Sequence, residues 1–113
     1  MSHATFFPDG TRLALIVSVY EVPTLEVWEL RGNVLLASVR LRRGLNDLAI
    51  SPAGRRVVTV GMDGHARVWR TADLRPLGVL RGRACSVLDL TWFAPNRLAS
   101  GACDGTRRVW TVR

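Results

Sequence analysis

Short apolar runs alternate along this chain with tight clusters of Gly, Pro, Asp and Asn. Leu13 to Tyr20 is a nearly unbroken apolar run, the pattern of a strand buried on both faces. Further runs follow at Leu25–Leu30, Val34–Leu41, Leu45–Ile50, Arg56–Val60, Ala66–Arg70, Pro76–Leu80, Ser86–Phe93, Arg97–Gly101 and Arg107–Val112. Between them stand Phe7-Pro8-Asp9-Gly10, Glu21-Val22-Pro23-Thr24, Arg31-Gly32-Asn33, Ser51-Pro52-Ala53-Gly54, Met62-Asp63-Gly64-His65, Ala94-Pro95-Asn96 and Cys103-Asp104-Gly105. Proline presets φ and glycine tolerates positive φ, so these clusters predict turns. Met1 to Phe7 reads as a lead into the first turn. No segment sustains a 3.6-residue apolar period, and the expectation is an all-β antiparallel meander without helices.

The runs repeat. Trp28, Trp69 and Trp110 are spaced 41 residues apart. Thr59 and Ser100 each lie ten residues before a tryptophan, Asp63 and Asp104 six before, Val68 and Val109 one before. The first unit is looser: its middle hairpin is three residues longer and it has no Asp-Gly pair. A fixed spacing is expected where strands pair, because a slip of one residue turns every side chain to the other face. Three units result, near 1–41, 42–82 and 83–113, the last ending after its third strand.

In Ser51-Pro52-Ala53-Gly54, Thr59, Asp63-Gly64, Val68-Trp69, Ser100-Gly101, Asp104-Gly105 and Val109-Trp110 the chain resembles the WD-repeat β-propellers. Phe7-Pro8-Asp9-Gly10 and Trp28 extend the resemblance over nearly the whole sequence. It implies antiparallel four-stranded blades, about three here and not closed within this chain. It also implies a structural tetrad of His, Ser or Thr, Asp and Trp in each blade. Unit three keeps Ser100, Asp104 and Trp110, with Gly82-Arg83 at the Gly-His position. Unit two keeps Thr59, Asp63 and Trp69, with its His position near Leu41. Unit one keeps Trp28, and Glu29, Arg70 and Thr111 follow the tryptophans where Asp is usual. A charge-assisted bond from Arg83 to Asp104 is expected to replace the missing histidine tie. Asp63 is expected to bind backbone N–H groups of its own turn.

Three blades leave a sheet edge with unpaired N–H and C=O groups. The resemblance therefore implies a larger propeller, self-association into a ring, or a degenerate relic. Protein partners bound by a non-enzymatic scaffold are implied by fold analogy.

The net charge is +7, and all sixteen basic residues are arginine. Their spread fits a compositional bias better than one selected anion site. Arg40, Arg42, Arg43, Arg81 and Arg83 would nonetheless gather in loops at one end of adjacent blades, where pooled charge attracts an acidic protein or a polyanion. The plain alternative is a solvated rim whose arginine stems cover apolar surface. Nucleic acid is the less favoured partner, since these loops lack aromatic residues for stacking bases. Cys85, Cys103, His3 and His65 cannot supply the four ligands of a structural zinc site, and no cofactor is expected. Both thiols are expected to be unpaired in a reduced, cytoplasmic protein. His65 is expected to be a solvated turn residue. No catalytic triad or phosphate loop can be assembled, and the apolar run 13–20 is far short of a membrane span.

Overall fold

The computed structural model describes residues 2–19, 22–41, 44–82 and 86–112. Among them it contains strands and turns and no helix. Strands β1 (Ser2–Phe6), β2 (Arg12–Val19), β3 (Val22–Glu29) and β4 (Val34–Arg40) form one antiparallel sheet in that order. A second contains β5 (Leu45–Ile50), β6 (Arg56–Gly61), β7 (Ala66–Arg70) and β8 (Pro76–Leu80). The third has β9 (Val87–Ala94), β10 (Arg97–Ala102) and β11 (Arg107–Thr111), and no fourth strand pairs with β11 among the described residues. We call these sheets blades 1, 2 and 3. They meet chiefly near their first strands, β1 against β5, and β5 and β6 against β9.

Two elements depart from the sequence pattern. The lead before Phe7 is a strand, Ser2 to Phe6 pairing with Val17 to Leu13. Its composition carries no clear alternation, and the adjacent β2 supplies the pairing. The second is the proposed turn at 21–24. Val22-Pro23-Thr24 belongs to β3, with Val19 opposite Val22. Pro23 has no N–H to give the ladder, and its buried carbonyl instead accepts from the Leu41 N–H at 2.8 Å.

Each strand turns alternate side chains to opposite faces, and the registers sort these into two sets per blade. Ala14, Ile16, Leu25 and Val27 of blade 1 are buried in one core with Val57, Leu48, Trp69 and Leu74 of blade 2. Val58, Val60, Ala66 and Val68, on the other face of blade 2, are buried with Leu90, Leu98 and Trp110 of blade 3. Blade 2 is thus covered on both sides. Arg56 reinforces the second contact, donating to the Val112 carbonyl (2.9 Å) and to Asn96 Oδ1 (2.6 Å). The run in β2 behaves differently from its sequence. Ala14 and Ile16 are buried, but Leu13, Leu15 and Val17 on the opposite face are only half-buried, because no sheet among the described residues covers them.

Candidate functional site

The motif residues come together inside the blades. Trp69 lies opposite Val57, and two residues along, on the same face, Arg67 lies opposite Thr59. From there the Trp69 indole N–H donates to Thr59 Oγ1 at 3.0 Å in a buried bond. Blade 3 repeats this, Trp110 Nε1 donating to Ser100 Oγ at 2.8 Å. In blade 1 the residue in register with Thr59 and Ser100 is Leu15, which offers no acceptor. The Trp28 N–H turns instead to Glu26 on its own strand, at 3.0 Å. The bulk of each indole packs as an apolar plate and its one polar atom is paired.

The Asp-Gly turns share one geometry. Asp63 accepts from the His65 N–H (3.1 Å) and Asp104 from the Thr106 N–H (2.9 Å), with Gly64 and Gly105 at φ of +79° and +83°. Asp63 has a further partner that the sequence did not suggest, Arg67 at 2.7 Å. Burial alone would raise the Asp63 carboxyl; the Arg67 bond and the His65 N–H outweigh it and hold the group below the ordinary aspartate range. At the histidine position of blade 2, Leu41 is buried in the core between blades 1 and 2, so apolar packing stands where the family has a polar tie. Arg83, expected to reach Asp104, lies outside the described residues, and so do Arg42 and Arg43.

Two expectations are corrected. His65 is half-buried rather than solvated: its Nδ1 accepts the Gly82 N–H at 3.0 Å and ties the β6–β7 turn to the chain entering blade 3. Gly82 is required there, since a Cβ would sit 2.1 Å from the Gly64 carbonyl oxygen. The second is Cys103, which is disulfide-bonded. Its N–H donates to the Ser86 carbonyl at 2.9 Å, so the β10–β11 turn and the segment entering β9 are adjacent. Cys85, the other cysteine of the sequence, lies outside the described residues.

Of the loop arginines, Arg40 and Arg81 are exposed, at the end of the blades that also carries the Asp63 and Asp104 turns. Other arginines act within the fold. The Arg12 guanidinium lies 4.1 Å from the Phe7 ring centroid and that of Arg108 4.4 Å from Trp110. At the opposite end, an open groove of about 500 Å³ runs between blades 2 and 3, lined by Arg55, Arg56, Thr71, Leu77 and Asn96. Sequence reasoning missed it, because its walls come from three turns far apart in the chain. No group of three or more His, Cys, Asp or Glu able to hold a metal occurs among the described residues. No described helix is long and apolar enough to cross a membrane.

Comparison with known proteins agrees with this geometry. The WD domain, G-beta repeat family matches residues 33–70. Human WD repeat-containing protein 86 is 41% identical over 51 residues, covering 45% of this chain and 14% of that protein. The F-box/WD repeat-containing protein sel-10 of Caenorhabditis elegans is 26% identical over 79% of this chain and 16% of its own length. The nuclear distribution protein PAC1 of Yarrowia lipolytica is 31% identical over 90% of this chain and 25% of its own length. The repeated tryptophan hairpins, the unclosed antiparallel blades and these matches together place the chain in the WD-repeat family. It spans a quarter or less of each of these three relatives.

Two measurements check the site. Thr59→Val keeps the shape but strands the buried Trp69 N–H, and is expected to cost about 1–3 kcal/mol in chemical denaturation; an unchanged midpoint contradicts the assigned bond. Asp73 accepts a side-chain bond from Arg70 (2.5 Å) and the Arg75 N–H (3.1 Å), which lower its carboxyl to about 2. A depressed carboxylate stabilises above its ordinary pKa of 3.8, and that contribution fades as pH falls through about 2. A carboxyl NMR titration should find Asp73 ionised at pH values where an ordinary aspartate is half protonated; a midpoint near 3.8 refutes the pair.

Proposed function

We propose that this chain is a non-enzymatic WD-repeat scaffold that presents its blade loops to protein partners, within a propeller completed by further blades. The supporting observation is where the motif residues are used. Thr59, Trp69, Ser100 and Trp110 are buried and bonded to one another within the blades, and Asp63 holds its own turn. Ser100 and Trp110 also border an open cavity of about 330 Å³ beside Gly82 and Arg107, but the indole N–H of the one is committed to the hydroxyl of the other. What the blades offer outward is their loops, with Arg40 and Arg81 exposed at one end. Arg42, Arg43 and Arg83 of the same loops are included by their sequence positions. One relative's name couples a WD-repeat region to an F-box, which suits a module that binds while other parts of a protein act. A cytoplasmic location belongs to the proposal, and the Cys103 disulfide weighs against it.

A second reading, a basic module for polyanions, draws on the net charge of +7 and the same exposed arginines. The two are separated by placing a photo-reactive residue at position 81 and measuring heparin binding across a salt series. The scaffold predicts protein adducts that disappear in Arg40→Glu, and heparin binding with a shallow salt slope. The polyanion module predicts a steep slope, about −0.9 per phosphate neutralised on duplex DNA, and no protein adducts.

A further inference from the structure

The terminal blades each carry a face that in the middle of the structure is covered. Val27, Val68 and Val109 occupy the same register position in successive blades, opposite Ala14, Val58 and Ala99. Their exposures are 0%, 5% and 53%. On the far side of blade 1, Leu13 and Leu15 are half-buried beside Trp28, while Phe6, opposite Leu13, is 67% exposed. Their counterparts in blades 2 and 3 (Val57 and Thr59, Leu98 and Ser100) are buried against a neighbour.

Each of these two faces carries a charge unlike its counterparts in the other blades. Leu25, Ala66 and Arg107 share one register position, opposite Ile16, Val60 and Gly101. Both covered members are apolar and fully buried; the member on the open face is an exposed arginine. Glu26, Arg67 and Arg108 share the neighbouring position on the tryptophan face, opposite Leu15, Thr59 and Ser100. Here blades 2 and 3 have arginines, Arg67 half-buried and Arg108 exposed, and blade 1 has a glutamate. A further blade patterned on blades 2 and 3 would bring an arginine toward Arg107. Blade 1 brings Glu26. Size matches as well, since Ala99, Gly101 and Thr91 leave a shallow hollow of about 250 Å³ on blade 3, bordered by Arg107 on one side and Asp89 on the other, and Phe6, Leu13 and Leu15 are bulky.

Resting on the reading that these blades belong to a ring, we infer that the open face of blade 3 and the Trp28 face of blade 1 are two halves of one interface, and that a second copy of this chain covers both. Joined head to tail, each copy sets its Arg107 against Glu26 of the other. Such a heterologous contact closes only if the rotation allows it. The described blades of two copies number six, within the roughly four to eight of a propeller.

Sedimentation equilibrium of the 113-residue chain tests this, with circular dichroism as the control for folding. The expected mass is twice the 12.5 kDa of one chain. Arg107→Glu, on an exposed side chain, is expected to weaken association at least about tenfold, Glu26→Arg to do the same, and the two combined in one chain to restore it. A folded monomer at micromolar concentration overturns the inference, as does an Arg107→Glu chain that still pairs normally or a double variant no tighter than the single ones. An unfolded wild-type chain counts against it equally, since the second copy is what supplies the missing cover. A folded monomer that still gives protein adducts at position 81 sinks the second-copy inference alone. A charge-swappable dimer without adducts sinks the scaffold reading alone.

Discussion

Burial of one sheet's face against the next is the interaction on which the rest of this structure depends. A blade of four short strands has two faces and cannot hide both by itself. In blade 2 both are hidden, and Val57, Val58, Thr59 and Val60 along β6 are almost wholly buried. Fully burying a valine is worth about 1.5–3 kcal/mol, so Val58, Val60 and Val68, which face blade 3, outweigh any single surface ion pair, worth about 0–1 kcal/mol. At the two ends the same chemistry is incomplete. Apolar cover supplies the driving force for whatever closes them, and charges such as Glu26 and Arg107 decide which partner fits.

The polar motif follows from the same constraint. The buried Trp92 N–H of β9 has no hydrogen-bond partner among the described residues, whereas for the indoles of Trp69 and Trp110, in the layers between blades, a hydroxyl two residues along the neighbouring strand is in reach of the N–H. Thr59 and Ser100 provide it; Leu15 does not, and Glu26 accepts in its place. A carboxylate is tolerated beside Trp28 because that face is only partly covered. Among the described residues, erosion of the motif and lack of a covering sheet therefore occur on the same face. The loop ties have been replaced rather than simply lost. Leu41 packs where a histidine would bond, and His65 takes up a backbone N–H from the other side of the turn.

Much of this was legible in the sequence because strand spacing and turn chemistry are local. The 41-residue recurrence marked the third strand of every blade, and Asp63-Gly64 and Asp104-Gly105 marked turns with positive φ. What escaped was set by neighbours distant in the chain. Ser2–Phe6 is a strand because β2 lies beside it, and Pro23 sits in β3 because its carbonyl has a partner in Leu41. The apolar run of β2 announced two buried faces, yet one is half-open, because no sheet among the described residues covers it. The Arg67 bond to Asp63 and the Gly82 bond to His65 depend on side-chain directions that spacing alone does not give. The Cys103 disulfide likewise depends on the β10–β11 turn folding back against Ser86.

The central claim is that the outer blades are completed from outside, on the faces of Trp28 and Val109. Hydrogen exchange followed strand by strand over a range of protein concentrations addresses it most directly. The account predicts slow, concentration-independent exchange in β6, and protection in β2, β10 and β11 that rises with concentration as the open faces are covered. Equal protection of all three blades at every concentration would contradict it.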